Sequence, residues 1–135
     1  MIYTGRWYSA WQARKAGNYG FQQVRISVSA PRYWPGPHPS IQELAPYGLM
    51  ELDDQKFEQA YDRRLTRHGV DQIDRLLGEL VRSYAPKPIV LCCYEDVSND
   101  KPNGYQSCHR RLFANWWEDQ TGDRIDEYPF AGNRR

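Results

Sequence analysis

The stretch Pro88-Ile89-Val90-Leu91-Cys92-Cys93 is a continuous apolar run of strand length, and it follows directly on an amphipathic helical pattern. A strand with no polar alternation has no face to offer water. It belongs inside a parallel sheet that helices cover on both sides. The preceding segment supplies one cover. Ile73, Leu76, Leu77, Leu80, Val81 and Tyr84 recur with the 3.6-residue period of a helix, after a capping residue at Asp71 and before stops at Pro86 and Pro88. Upstream, Phe57, Tyr61 and Leu65 stand at i, i+4 and i+8 behind Asp53 or Asp54 as N-cap, and Gly69 separates the two helices.

The rest of the chain fits the same plan. Residues 2–4 read as a short strand. A short helix follows, with Ser9 as N-cap, Gln12 completing a capping box, Arg14 and Lys15 in the last turn and Gly17 as the left-handed residue beyond it. Residues 24–29 alternate β-branched and polar side chains and read as a strand. Residues 30–39 contain four prolines and must be a loop. Its Tyr33, Trp34 and His38 either stack on a planar ligand or close a small core over the sheet edge, and the second use is favoured. After Glu95 comes a polar stretch with an Asn103-Gly104 turn, then a helix to about Glu118 that buries Leu112, Phe113, Trp116 and Trp117 and stops at Gly122. Residues 124–128 suit an edge strand, and residues 129–135 a loose tail. The expected architecture is a single α/β domain over residues 1–135: a small, mostly parallel sheet flanked by helices in a Rossmann-like, three-layer arrangement.

Composition narrows the function classes. With 40% hydrophobic residues and a net charge of +1, the chain is globular, and its bulk charge argues for neither nucleic acid nor membrane. A local basic patch is compatible with both numbers. No apolar run approaches the roughly 20 residues of a membrane helix, and the first residues lack the features of a signal peptide. A cytoplasmic location is expected, with no membrane partner. Three cysteines, two of them adjacent, make a poor disulfide framework. Reduced thiols are expected, with Cys92 in the core.

In open parallel sheets, ligands gather at the carboxyl ends of the strands. Those ends should present Thr4 and Gly5, the loop after Ser29, and the segment from Glu95 to Cys108. Cys108 falls at the start of its helix, where free N–H groups and the helix dipole favour a thiolate or a bound anion. His109, Arg110 and Arg111 add donors and charge, and arginine grips phosphate or carboxylate in bidentate fashion. Cys93 and Glu95 share one side of their strand and approach the same edge. Arg25 and Arg32 are candidate second contacts to an anion. The ordinary alternative for these arginines is a solvated or ion-paired side chain. Cys93, Glu95, Cys108 and His109 are also legitimate zinc ligands, so a structural zinc site is a further alternative.

The run Leu91-Cys92-Cys93-Tyr94-Glu95, followed by a polar loop and Cys108-His109-Arg110, resembles the domain of unknown function 488 family. Its members show an apolar strand ending in Leu-Cys-x-Glu, a variable loop, then Cys-His-Arg and a helix. Tyr3-Thr4-Gly5 is similar to the family's opening Tyr-Thr-x-Gly, one residue shorter. Gln23-Val24-Arg25 is similar to its Asp-Val-Arg strand, with Gln23 in place of the acid. The resemblance implies an α/β fold, a cytoplasmic protein and an enzyme with a suggested link to nucleotides or nucleic acids. The reading that joins these strands is an enzyme acting on an anionic, phosphate-bearing substrate, a nucleotide or nucleic acid among the choices. Cys108, Cys93, Glu95 and His109 would act on it, and Arg25, Arg32, Arg110, Arg111, Thr4 and Gly5 would bind it. The alternative from another class is a binding module with the same site and no chemistry.

Overall fold

A computed structural model describes residues 1–34, 37–94 and 109–130. Along the chain these form β1 (Ile2–Arg6), α1 (Trp7–Lys15), β2 (Gln22–Arg25), α2 (Asp54–His68), α3 (Val70–Tyr84), β3 (Ile89–Cys93), α4 (His109–Thr121) and β4 (Asp126–Glu127). The described strands make one sheet in the order β2-β3-β1-β4, and each neighbouring pair is parallel. Tyr3 pairs with Val90 and Val24 with Leu91, so the fully buried β3 lies between β1 and β2.

The chain steps one way along the sheet from β1 to β2 and the other way from β2 through β3 to β4. Crossovers of one hand then place their helices on opposite faces. The core is divided accordingly. Ile89, Leu91, Val24 and Ile26 pack with Tyr61 and Leu65 of α2, Ile73 and Leu77 of α3, and Phe113, Trp116 and Trp117 of α4. On the other face Val90 and Cys92 pack with Trp7, Ala10 and Ala13 of α1, together with Phe21, Trp34 and Phe130. The result is a small α/β fold with the Rossmann-like, three-layer arrangement expected from the apolar run at β3. Among the described residues no helix is long and apolar enough to cross a membrane.

Local chemistry explains the ends of the elements. The Asp53 carboxylate accepts from the Lys56 N–H at 2.9 Å and caps α2. Gly69, at φ +86°, turns the chain between α2 and α3, and it takes the N-cap place of α3 that the sequence suggested for Asp71. Helix α1 begins two residues before Ser9, because buried Trp7 follows β1 without a break. The second strand covers residues 22–25 rather than 24–29. Arg25 causes the departure: its Nη1 donates to the carbonyls of Ser27 at 2.7 Å and Val28 at 2.8 Å, which draws the following residues out of the ladder.

The tail differs from expectation at its start. Phe130 is buried, 5.2 Å from the Phe21 ring and 4.8 Å from that of Tyr128. It fills the space left by the missing side chain of Gly5. A Cβ at Gly5 would stand 2.7 Å from Val90 Cγ1 and 3.0 Å from Phe130 Cε2. Gly5→Ala is therefore expected to destabilise the protein by about 1–3 kcal/mol through overpacking. A urea melt reads this directly, and an unchanged midpoint would show that Phe130 does not seal this face.

Candidate functional site at the carboxyl edge of the sheet

The parallel strands bring Arg6, Arg25, Cys93 and Glu127 to the same edge. The pleat sends Cys92 and Cys93 to opposite faces. Cys92 enters the α1-side core, where burial pushes its thiol up to about 12 despite the nearby Arg110 charge. It is an inert packing residue. Cys93 faces α4 and is disulfide-bonded, whereas Cys92 is a free thiol. The expected reduced state thus does not describe Cys93. Adjacent cysteines on opposite faces do not pair with one another, but nothing in that spacing keeps one of them from pairing elsewhere.

The first turn of α4 aims its side chains into this edge. His109 is buried, with Nε2 2.7 Å from the Ile26 carbonyl oxygen. A carbonyl only accepts, so Nε2 carries the hydrogen. Burial lowers its pKa to about 4, the Ile26 hydrogen bond opposes that shift, and the Arg110 charge adds to it. At neutral pH the imidazole is uncharged and ties α4 to the end of β2.

Arg110 is 1% exposed and is the most buried charge described. Its Nε donates to Glu127 Oε2 at 2.9 Å and its Nη2 to Oε1 at 3.0 Å, a bidentate pair. Its Nη1 stands 3.2 Å from Cys93 Sγ. Arg111 Nη1 donates to Thr4 Oγ1 at 2.8 Å and to the Ile125 carbonyl at 3.0 Å, with Glu127 Oε2 3.9 Å away. The Thr4 hydroxyl donates in turn to Glu127. Burial alone would raise the pKa of Glu127. The hydrogen bonds and charge of Arg110, helped by Thr4 and Arg111, outweigh burial and hold it below the usual carboxylate range. In this structure the arginine pair therefore grips a carboxylate that belongs to the protein itself.

The other sequence candidates are dispersed. Thr4 belongs to the Glu127 network and Gly5 to the opposite, Phe130-covered face. Arg25 braces its own loop and donates to the Tyr47 hydroxyl at 3.3 Å. Arg32 is exposed on the proline-rich loop. Trp34 and His38 pack on the Trp7 ring at 5.2 and 5.6 Å, the core-closing role favoured for that loop. Glu95 and Cys108 lie outside the described residues. The zinc alternative does not fit Cys93 as a ligand, because a disulfide sulfur is no thiolate.

Sequence reasoning missed Glu127. Its signal was indirect: arginines beside an apolar helical stripe are headed for burial, and a buried cation needs a counter-charge. No family model, curated protein or solved structure matches the chain. The likeness to the domain of unknown function 488 family rests on the quoted motifs alone.

Two outcomes follow from this geometry. Glu127→Gln leaves Arg110 buried without its counter-ion and should cost about 3 kcal/mol. Arg110→Met in the same chain should recover much of that loss, because it removes the stranded charge. Equal stabilities for wild type and Glu127→Gln in chemical denaturation would remove the pair from its structural role. The second concerns pH. His109 has a lower pKa folded than unfolded, so the unfolded chain binds more protons between the two values. Stability should fall by about 3 kcal/mol as pH drops from about 6.5 to below 4. The depressed Glu127 pKa adds a loss of the same sign at the acid end of that window. His109→Gln should flatten the upper part of the slope, and a wild-type slope kept in that variant would assign it to other groups.

Proposed function

We propose that this protein is a thiol-dependent enzyme whose reactive centre is Cys93 at the carboxyl end of β3, paired with Cys108 as a redox couple, and whose substrate is anionic. The observation that carries the reading is the Arg110 guanidinium 3.2 Å from Cys93 Sγ, fixed there by Glu127. A held positive charge beside a sulfur favours thiolate over thiol, and the thiolate is the form that attacks and leaves in exchange reactions. The proposal assigns Cys108, the third cysteine of the chain, as the second thiol of the couple. A dithiol reductant would supply two electrons. Its thiolate attacks one sulfur, the Cys93 sulfur leaves as a thiolate beside Arg110, and the second thiol of the reductant resolves the mixed disulfide.

In this reading Arg110 and Glu127 are positioning residues for the sulfur. His109, neutral and hydrogen-bonded to Ile26, orients the helix rather than carrying protons at neutral pH. Glu95, two residues after Cys93 in sequence, remains the proposed proton carrier. Arg25, at the same strand-end edge, is the proposed contact to a phosphate-bearing substrate.

The test is native-state reduction followed by alkylation, read residue by residue by peptide mass spectrometry. Dithiothreitol should open the Cys93 bond in the folded protein, and Cys108 should become alkylated in step with it. At pH 7, Cys93 in Arg110→Met should alkylate at least about 10-fold more slowly than in wild type, the loss expected when a thiolate-stabilising charge is removed. A bond that opens only after denaturant is added would make the disulfide structural and end the enzyme reading.

A further inference from the structure

The near-neutral net charge conceals an uneven distribution. Before Glu43 the chain has no Asp or Glu and five cations, Arg6, Arg14, Lys15, Arg25 and Arg32. The remaining 93 residues carry the other thirteen cations and all seventeen carboxylates. The fold keeps this division, because the cation-only segment builds β1, α1, β2 and the loop that lies on α1. The helices of the opposite face mix both signs, eight carboxylates with eight cations over α2, α3 and α4, and Glu58, Asp62 and Asp119 line the groove between α2 and α4.

The α1 face also exposes aromatic rings. Tyr8 is 42%, Tyr19 57% and Tyr33 40% exposed. Tyr8 and Trp11 lie 5.7 Å apart and tilted by 31°, and Tyr33 meets Trp11 at 5.1 Å. Cations alternate with the rings: Lys15 Nζ stands 4.4 Å from the Trp11 ring, and the Arg14 guanidinium is 4.7 Å from that of Tyr19 and 5.5 Å from that of Trp34. Between them lies a cleft of about 180 Å³ lined by Trp11, Arg14, Lys15, Tyr19 and Trp34. No carboxylate is among these lining residues.

Exposed rings in a field of one sign suit a partner that is both anionic and planar. A duplex hides its base faces, and an acidic peptide has no aromatic face beside each charge to stack on the rings. A single strand offers both, since bases stack on rings and phosphates pair with Lys and Arg. We propose that the α1 face binds single-stranded nucleic acid, with bases on Tyr8, Tyr33 and Tyr19 and phosphates on Arg14, Lys15 and Arg32. Binding on this surface does not depend on the chemistry proposed for Cys93.

Fluorescence anisotropy of a labelled 20-nucleotide oligothymidylate, titrated with the full chain at about 50 mM NaCl, tests it at an ionic strength where phosphate contacts are strong. Binding is expected, with log K falling against log salt at a slope of about −2 to −3, as three or four phosphate contacts imply. Lys15→Glu/Arg32→Glu should reduce affinity at least about 10-fold by removing and reversing two of those contacts. Tyr8→Ala/Tyr33→Ala should reduce it about 5-fold or more through lost stacking. All four positions are solvent-exposed, and far-UV circular dichroism checks that the variants stay folded. No binding at low salt would overturn the proposal. So would binding that the tyrosine pair leaves unchanged and that heparin, a polyanion without bases, displaces as well as unlabelled oligothymidylate. That result would assign the face to an acidic partner.

Discussion

The bidentate contact between Arg110 and Glu127 organises the carboxyl edge of this sheet. Arg110 is sealed under α4, and a charge so placed is tolerated only with a partner held in good geometry. Glu127 is that partner, and holding it fixes the two-residue strand β4 against β1, where Thr4 pairs with it. Arg111 ties the same helix turn to Thr4 and to the Ile125 carbonyl. A weak, short edge strand is thus anchored less by its ladder than by side chains from a helix. Cys93 comes within reach of the guanidinium because the same contact sets the arginine's direction.

This arrangement changes the meaning of the Cys-His-Arg-Arg segment. Its residue types suggested an external anion. Each described member instead has an internal acceptor: Ile26 for His109, Glu127 for Arg110, Thr4 and Ile125 for Arg111. Cations interleaved with exposed rings lie on the other face, around α1, in the part of the chain that has no carboxylate. The two proposals divide accordingly, one concerning sulfur chemistry at the strand ends and the other polyanion recognition on the helix opposite.

The elements and their order were legible because they rest on local rules. An apolar run with no alternation, a clean 3.6-residue stripe from Ile73 to Tyr84, and glycines at Gly17, Gly69 and Gly122 in positive φ each carry their own reason. Boundaries were less legible where a distant or returning side chain decides them. Trp7 starts α1 early because it is pulled into the core, and Arg25 ends β2 by turning back on Ser27 and Val28. Phe130 lies in a segment whose composition suggests a loose tail, and only the space above Gly5 makes it core.

The sequence by itself determined an α/β chain with a strand buried on both faces, flanking helices and a cysteine, histidine and arginines directed to one sheet edge. Periodicity, capping and turn chemistry act over a few residues, so they are written in the chain. Only the tertiary structure decided that Glu127 meets Arg110, that Cys92 and Cys93 part to opposite faces with different fates, and that the aromatic and basic residues before Glu43 share one surface. Those outcomes depend on strand order and on which helix covers which face. Contacts across such distances in sequence are selected by global packing and charge pairing, which no local pattern encodes.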